Sequence, residues 1–122
     1  MKTDNALKDK SYAFSLKTAQ VCFEVQKQHK EYILSKQLLR SATSVGANVE
    51  EAIGGHSAKD FYYRVTIAHR EARETHYWIR LLGDLKLINE EVKKQLLSDS
   101  DELIRISGSI QKTMRLKLNK SK

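Results

Sequence analysis

Between Phe61 and Leu82 the chain sets Phe61, Val65, Ala68, Ala72, Thr75, Ile79 and Leu82 at alternating intervals of four and three residues. This spacing keeps the side chains on one stripe of an α-helix, whereas a strand alternates sides with a period of two. Only Thr75 in the series is polar, so the stripe is a burial surface. A helix with one apolar stripe has to cover it with other elements. Other helices are the natural cover here: the chain has no proline and five glycines in 122 residues, and β architectures lean on those residues for their turns.

The remaining segments carry helical periods too. A first helix is expected from about Leu7 to Gln28. Its seam is Tyr12, Leu16, Ala19 and Phe23, with Phe14, Val21 and Val25 in a second apolar line. A face that broad is buried by more than one neighbour or meets another subunit. The link His29–Leu34 lacks glycine and proline, and Ser35 is the expected N-cap of a second helix. Leu38, Ala42, Val45, Val49 and Ala52 form its seam, and Gly54-Gly55 ends it through glycine's access to the left-handed conformation. Ser57, with Asp60 in the first turn, opens the third helix, and Gly83–Ile88 turns the chain. Asn89 caps a fourth helix, with Glu90 and Glu91 at its positive end. Val92, Leu96, Leu103, Ile106 and Ile110 continue the seam, Leu97 and Ile104 widen it, and Asp99 interrupts it. Asp99-Ser100-Asp101 marks an expected irregularity. The fold class is therefore all-α, an antiparallel up-down-up-down four-helix bundle in one domain of residues 1–122.

Charge is concentrated at one end. Arg105–Lys122 holds six basic residues and no acid, while the rest of the chain holds 16 basic and 15 acidic residues, a net of +1 out of +7. Two readings fit that end, a basic tail at about residues 115–122. It is a solubilising terminus, with cations favoured near a helix C-terminus, or an arm for phosphate backbones. Arg105, Lys112, Arg115, Lys117 and Lys120 are the candidate nucleic-acid contacts. Arg64, Arg70, Arg73 and Arg80 are further candidates, although acids three or four positions away can neutralise several of them. The single cysteine, Cys22, excludes an internal disulfide and points to a reducing, cytoplasmic setting. The start, MKTDNALKDK, has no apolar run, and no stretch is long and apolar enough to span a bilayer.

A second stripe accompanies the first. Ser41, Ser44, Asn48 and Glu51 recur beside the seam of helix two, with the small Gly46 and Ala47 among them. An interior helical glycine costs about 1 kcal/mol relative to alanine, so Gly46 suggests a close approach. Arg64, Ile67, Glu71, Glu74, Trp78 and Leu81 form the flanking line of helix three. The expectation is that the Ser41-Ser44-Asn48 and Glu71-Glu74-Trp78 lines face each other. They would form a polar layer between helices or between subunits, with ligand contact as the rival reading.

Catalytic and metal chemistry find little support. A di-metal bundle needs Glu-x-x-His pairs, and no glutamate here has a histidine three residues on. His69 and His76 share a helix face but need help from another helix to hold a metal. Arg64-Val-Thr-Ile-Ala-His69 has the Arg-x4-His spacing of HEPN-type ribonucleases, in which such residues would assist attack by a ribose hydroxyl. There is no glycine-rich phosphate loop and no Cys/His cluster. Cys22 fits packing better than a nucleophile. No cofactor is expected.

The segment SKQLLRSATSVGANVEEA, the following DFYYRVTIAHREARETHYWIRLL and the spacing between them resemble the bacterial 23S ribosomal RNA intervening-sequence proteins. The matching positions include Ser35, Arg40, Ser44, Gly46, Asn48, Glu51, Phe61, Glu71, Glu74 and Trp78. The resemblance spans Tyr12 to Leu116. It implies an antiparallel four-helix bundle assembled as a ring-like homopentamer, and it brings no catalytic residues. That family also resembles the accessory proteins of diversity-generating retroelements, basic pentameric bundles that bind nucleic acid and a reverse transcriptase. The resulting expectation is a non-catalytic oligomer that binds RNA or DNA. The alternatives are an oligomer that binds only protein, then a HEPN-like ribonuclease.

Overall fold

The computed structural model describes the backbone of residues 2–120 and the side chains of residues 5–120. The chain forms four helices, α1 (Lys2–His29), α2 (Leu34–Ile53), α3 (Ala58–Asp84) and α4 (Glu90–Lys120). Helix α1 packs on α2, α2 on α3 and α3 on α4, and α1 meets α4 along a sparser front that closes the bundle. The pairs α1/α3 and α2/α4 are diagonal. Polar contacts across every seam run in opposite residue order. Ser15 meets Ala42 while Gln26 meets Ser35; Ser41 meets Thr75 while Asn48 meets Arg64. His69 meets Ser107 while His76 meets Asp101; Lys10 meets Glu102 while Lys17 meets Asp99. The topology is up-down-up-down.

The α3 stripe is buried as its spacing requires: Val65, Ala68, Ala72, Thr75, Ile79 and Leu82 are closed off, and Phe61 packs at the edge. The α2 seam from Leu38 to Ala52 is buried too. Ser57 Oγ accepts from the Asp60 N–H at 3.0 Å, and Asn89 Oδ1 accepts from the Val92 N–H at 2.8 Å. Both caps therefore lie where the residue types place them.

Helix α1 is rotated from the expected seam. Leu7, Ser11, Phe14, Thr18, Cys22 and Val25 face the core, while Tyr12, Leu16 and Phe23 are 65%, 52% and 58% exposed. The cause lies on α2. Gly46 is buried, and a Cβ there would stand 2.7 Å from Ser15 Oγ and 3.5 Å from the Ser11 carbonyl oxygen. Backbones that approach so closely need small residues on both sides, and the α1 face with Ser11 and Ser15 supplies them. Ser11 and Ser15 return their hydroxyls to backbone carbonyls, of Lys8 and Ala42, at 3.1 Å each, which offsets their burial, whereas Thr18 Oγ1 on the same face is buried with no hydrogen-bond partner among the described residues. Cys22 lies in the seam as packing, and burial together with Glu31 pushes its thiol up to about 12.

Several helix ends differ from expectation, and α1 begins at Lys2, ahead of the expected start at about Leu7. Ser35 is a buried residue of the first turn of α2; the cap is Glu31, whose carboxylate accepts from the Ile33, Leu34 and Ser35 N–H groups at 2.9, 2.8 and 2.8 Å. Gly54 is right-handed at φ −81°, and the left-handed residues are Lys30 at φ 54° and Lys86 at φ 63°, in the turns after α1 and α3. Gly83 stays inside α3, where any Cβ would overlap the Lys93 methylene stem. Helix α4 is continuous through Asp99-Ser100-Asp101, because Ser100 and Ser107 take the seam positions and Asp99 turns outward to Lys17. It also runs on to Lys120, so the expected basic tail is helical that far. Ser121 and Lys122 lie outside the described residues.

Replacing Gly46 by leucine should lower stability by about 1–3 kcal/mol through overpacking, while leucine at the exposed neighbour Ala47 changes it by less than about 0.5 kcal/mol. Urea unfolding of both variants checks this. Desolvation raises the Glu31 pKa, but the Leu34, Ser35 and Ile33 amides and the Ser35 side chain together outweigh it, so the carboxyl lies below its ordinary value. The stabilisation is complete above the unfolded pKa and is lost as pH falls through the folded one. Glu31→Gln should therefore cost about 1–2 kcal/mol at neutral pH and remove part of the stability loss seen on acidification below pH ~4.

Candidate functional site

The polar stripes form a seam between α2 and α3, but with different partners from those expected. Arg40, on α2, reaches across to both acids: its Nη1 donates to Glu71 Oε2 at 3.3 Å, its Nη2 donates to Glu74 Oε2, and its Nε holds Gln37 Oε1 at 3.1 Å. Glu74 Oε2 also accepts from Trp78 Nε1 at 2.9 Å. Deeper in the seam the Thr75 and Ser41 hydroxyls meet at 2.9 Å. Asn48 Nδ2 donates to the Ser44 carbonyl at 2.9 Å and lies 3.1 Å from its hydroxyl, while Arg64 Nη1 donates to Asn48 Oδ1 at 3.5 Å. The Ser41-Ser44-Asn48 line and the Glu71-Glu74-Trp78 line thus lie in one seam with no hydrogen bond between their side chains among the described residues. Arg40 is what ties the two glutamates to α2, and the periodicity of the stripe did not include it. These groups satisfy one another, and the arrangement is a clamp between helices.

Arg64 and His69 diverge. Arg64 points to α2, while His69 Nδ1 sits 3.0 Å from Ser107 Oγ on α4. Burial, reinforced by Arg73, lowers the His69 pKa. The Arg-x4-His spacing therefore builds no shared site. His76 Nε2 pairs instead with Asp101 Oδ1 at 3.1 Å. Among the described residues no three His, Cys, Asp or Glu side chains gather as metal ligands. No described helix is long and apolar enough to cross a membrane.

Charge separates the four seams. On α1/α4, Lys10 pairs with Glu102 at 3.3 Å and Lys17 with Asp99 at 3.5 Å. On α1/α2, Lys8 faces Glu50 at 4.0 Å. On α2/α3, Arg40 takes Glu71 and Glu74. Those glutamates turn to Arg40 and form no ion pair with Arg70 or Arg73 on their own helix, the partners that sequence neighbours alone would suggest. The α3/α4 side carries the pairs His76–Asp101 and Lys93–Asp84. Lys59, Arg70, Arg73, Arg80, Arg105, Lys112 and Arg115 make no ion pair among the described residues. Arg105 and Lys112 stand on the outward face of α4, two turns apart, and Lys117 and Lys120 are exposed in its last turns. Two open concavities follow the α3/α4 seam. One, of about 440 Å³, is lined by Lys59, Tyr62, Arg115, Leu118 and Asn119; the other, of about 260 Å³, by Arg73, His76, Arg80, Asp101 and Ile104.

Residues 3–109 match the family described as 23S rRNA-intervening sequence protein. The fold is similar to the crystal structure of a protein with unknown function from the S23 ribosomal protein family of Bacteroides thetaiotaomicron VPI-5482. That likeness has 39% sequence identity and a TM-score of 0.87, and covers 90% of this chain and 98% of the other. No curated protein matches at a significant level. With most of its length matched in sequence and its whole architecture matched in space, the chain belongs to the 23S rRNA-intervening sequence protein family.

Proposed function

We propose that this protein is a non-catalytic, self-associating bundle that binds the phosphate backbone of RNA or DNA through the outward faces of α3 and α4. The observation that carries this reading is the cluster of cations on the α3/α4 side: Arg70, Arg73, Arg80, Arg105, Lys112 and Arg115 make no ion pair among the described residues, although Lys93 and His76 on that side do. Leftover cations on a continuous surface release counterions when they neutralise phosphates, which supplies sequence-independent affinity. Self-association is supported by Tyr12, Leu16 and Phe23, an exposed apolar line at helical spacing. It lies on the flank of α1 beside the Lys8 and Ser15 contacts to α2, opposite the α3/α4 side. The resemblance implies a pentameric ring for such an oligomer, and a ring repeats each subunit's basic face around one axis.

Affinity for a mixed-sequence RNA and its DNA counterpart should fall steeply with salt. Joint replacement of Arg105, Lys112 and Arg115 by alanine should reduce the log–log slope by about 1 for each phosphate that is no longer neutralised. An affinity independent of salt removes the reading and leaves an oligomer that binds protein alone. Replacing Leu16 and Phe23 by glutamate should lower the mass in solution to that of a monomer while the helical circular-dichroism signal is kept, since both side chains are exposed in the single bundle. An unchanged mass removes α1 as the assembly surface.

A further inference from the structure

The outward face of α3 carries a second regularity, apart from its buried stripe and its clamp to α2. Tyr63, Arg70 and Tyr77 are spaced by sevens, so they stand in one line along the helix. Tyr63 is 58% exposed and Tyr77 is 50% exposed. Arg73 and Arg80 run alongside on the flank nearest α4 and line the 260 Å³ concavity. Single exposed tyrosines are ordinary. Two in register, with an arginine between them and unpaired arginines beside them, place flat π surfaces and phosphate donors on one strip.

Both rings are held. The Arg64 guanidinium carbon lies 5.8 Å from the Tyr63 ring centroid, and the Tyr77 and Trp78 centroids are 5.0 Å apart at 74°. Trp78 is in turn tied to Glu74. A braced ring loses less freedom when a ligand orders it. The Tyr63–Tyr77 distance is about 21 Å, from ~1.5 Å of rise per residue. About six stacked nucleotides span that length at ~3.4 Å each, fewer when the strand is stretched.

We infer that this strip is a stacking platform for single-stranded nucleic acid: Tyr63 and Tyr77 take bases while Arg70, Arg73 and Arg80 take the intervening phosphates. The inference rests on the proposed nucleic-acid binding and adds the form of the strand. A duplex turns its base faces inward, where side chains on a convex helix surface do not reach them. A single strand offers every base face, and aromatic side chains beside a cationic track are the matching chemistry. None of these contacts uses the sugar 2′-hydroxyl, so RNA and DNA strands bind through the same strip.

The test uses labelled 12-nucleotide single strands of mixed sequence, as RNA and as DNA, and the 12-base-pair duplex, compared at matched salt concentrations from low to physiological. Single strands should bind about tenfold tighter than the duplex. Tyr63→Ala and Tyr77→Ala should each weaken single-strand binding on the order of tenfold and leave duplex binding unchanged, while either Tyr→Phe stays within about twofold. Trp78 is the sole tryptophan and touches Tyr77, so its emission in the unaltered protein should respond to saturating single strand and not to duplex. This readout needs no variant to fold. Equal or tighter binding of the duplex, alanine variants that match the parent on single strands, or a Trp78 signal blind to the single strand would each overturn the inference. If the parent binds duplex and single strand alike with a steep salt dependence, this platform fails while backbone binding stands. If the parent binds neither form, both fail.

Discussion

Burial of the α3 stripe between α2 and α4 governs the rest of this bundle. Val65, Ala68, Ala72, Thr75, Ile79 and Leu82 leave α3 no rotational choice. Once they are inside, Thr75 and the two glutamates meet α2, His69 and His76 meet α4, and Tyr63, Arg70 and Tyr77 are left facing outward. The surface chemistry of α3 is therefore a by-product of its packing, assigned by the 3.6-residue turn. The stripe keeps Ala68 and Ala72 at its middle, which suits close neighbours on both sides without a cavity.

Much of this was legible because α2 and α3 each contain a single apolar period. Helix α1 contains two. Tyr12, Leu16 and Phe23 outrank Ser11, Thr18 and Cys22 in hydrophobicity, so periodicity alone favours the wrong line. What selects the other is Gly46 on a different helix: it admits a backbone so close that only small side chains fit opposite. Pairing information of that kind is not written in α1 itself. The same holds at the start of α2. Ser35 is the better capping residue by type, but Glu31, four positions upstream, reaches three amides at once and leaves the serine to fill the Gln26 junction.

The candidate surface was half visible. The basic residues beyond Arg105 stood out by count, and the structure adds that they continue as helix beside α3. The arginines of α3 looked neutralised because carboxylates lie one turn away. Arg40 changes that balance from a neighbouring helix by drawing Glu71 and Glu74 to the α2 side. Partly exposed ion pairs of this kind contribute little stability. Its larger effect is on where charge is left over. The apolar line on α1 and the basic strip on α3 then occupy opposite sides of the bundle, so the proposed assembly and the proposed ligand contact need not compete for area.

Cys22 offers a way to watch this geometry at work. Its sulfur is closed off in the α1 seam and its thiol is held at about 12, so the folded protein presents almost no thiolate to a reagent at neutral pH. Exposure requires α1 to lift away, and α1 is the helix whose contact with α4 is sparse. The lone sulfur is thus a built-in clock for the detachment of one helix. That helix also bears the apolar line, so any partner holding its outer side would slow the clock in proportion to how tightly it grips.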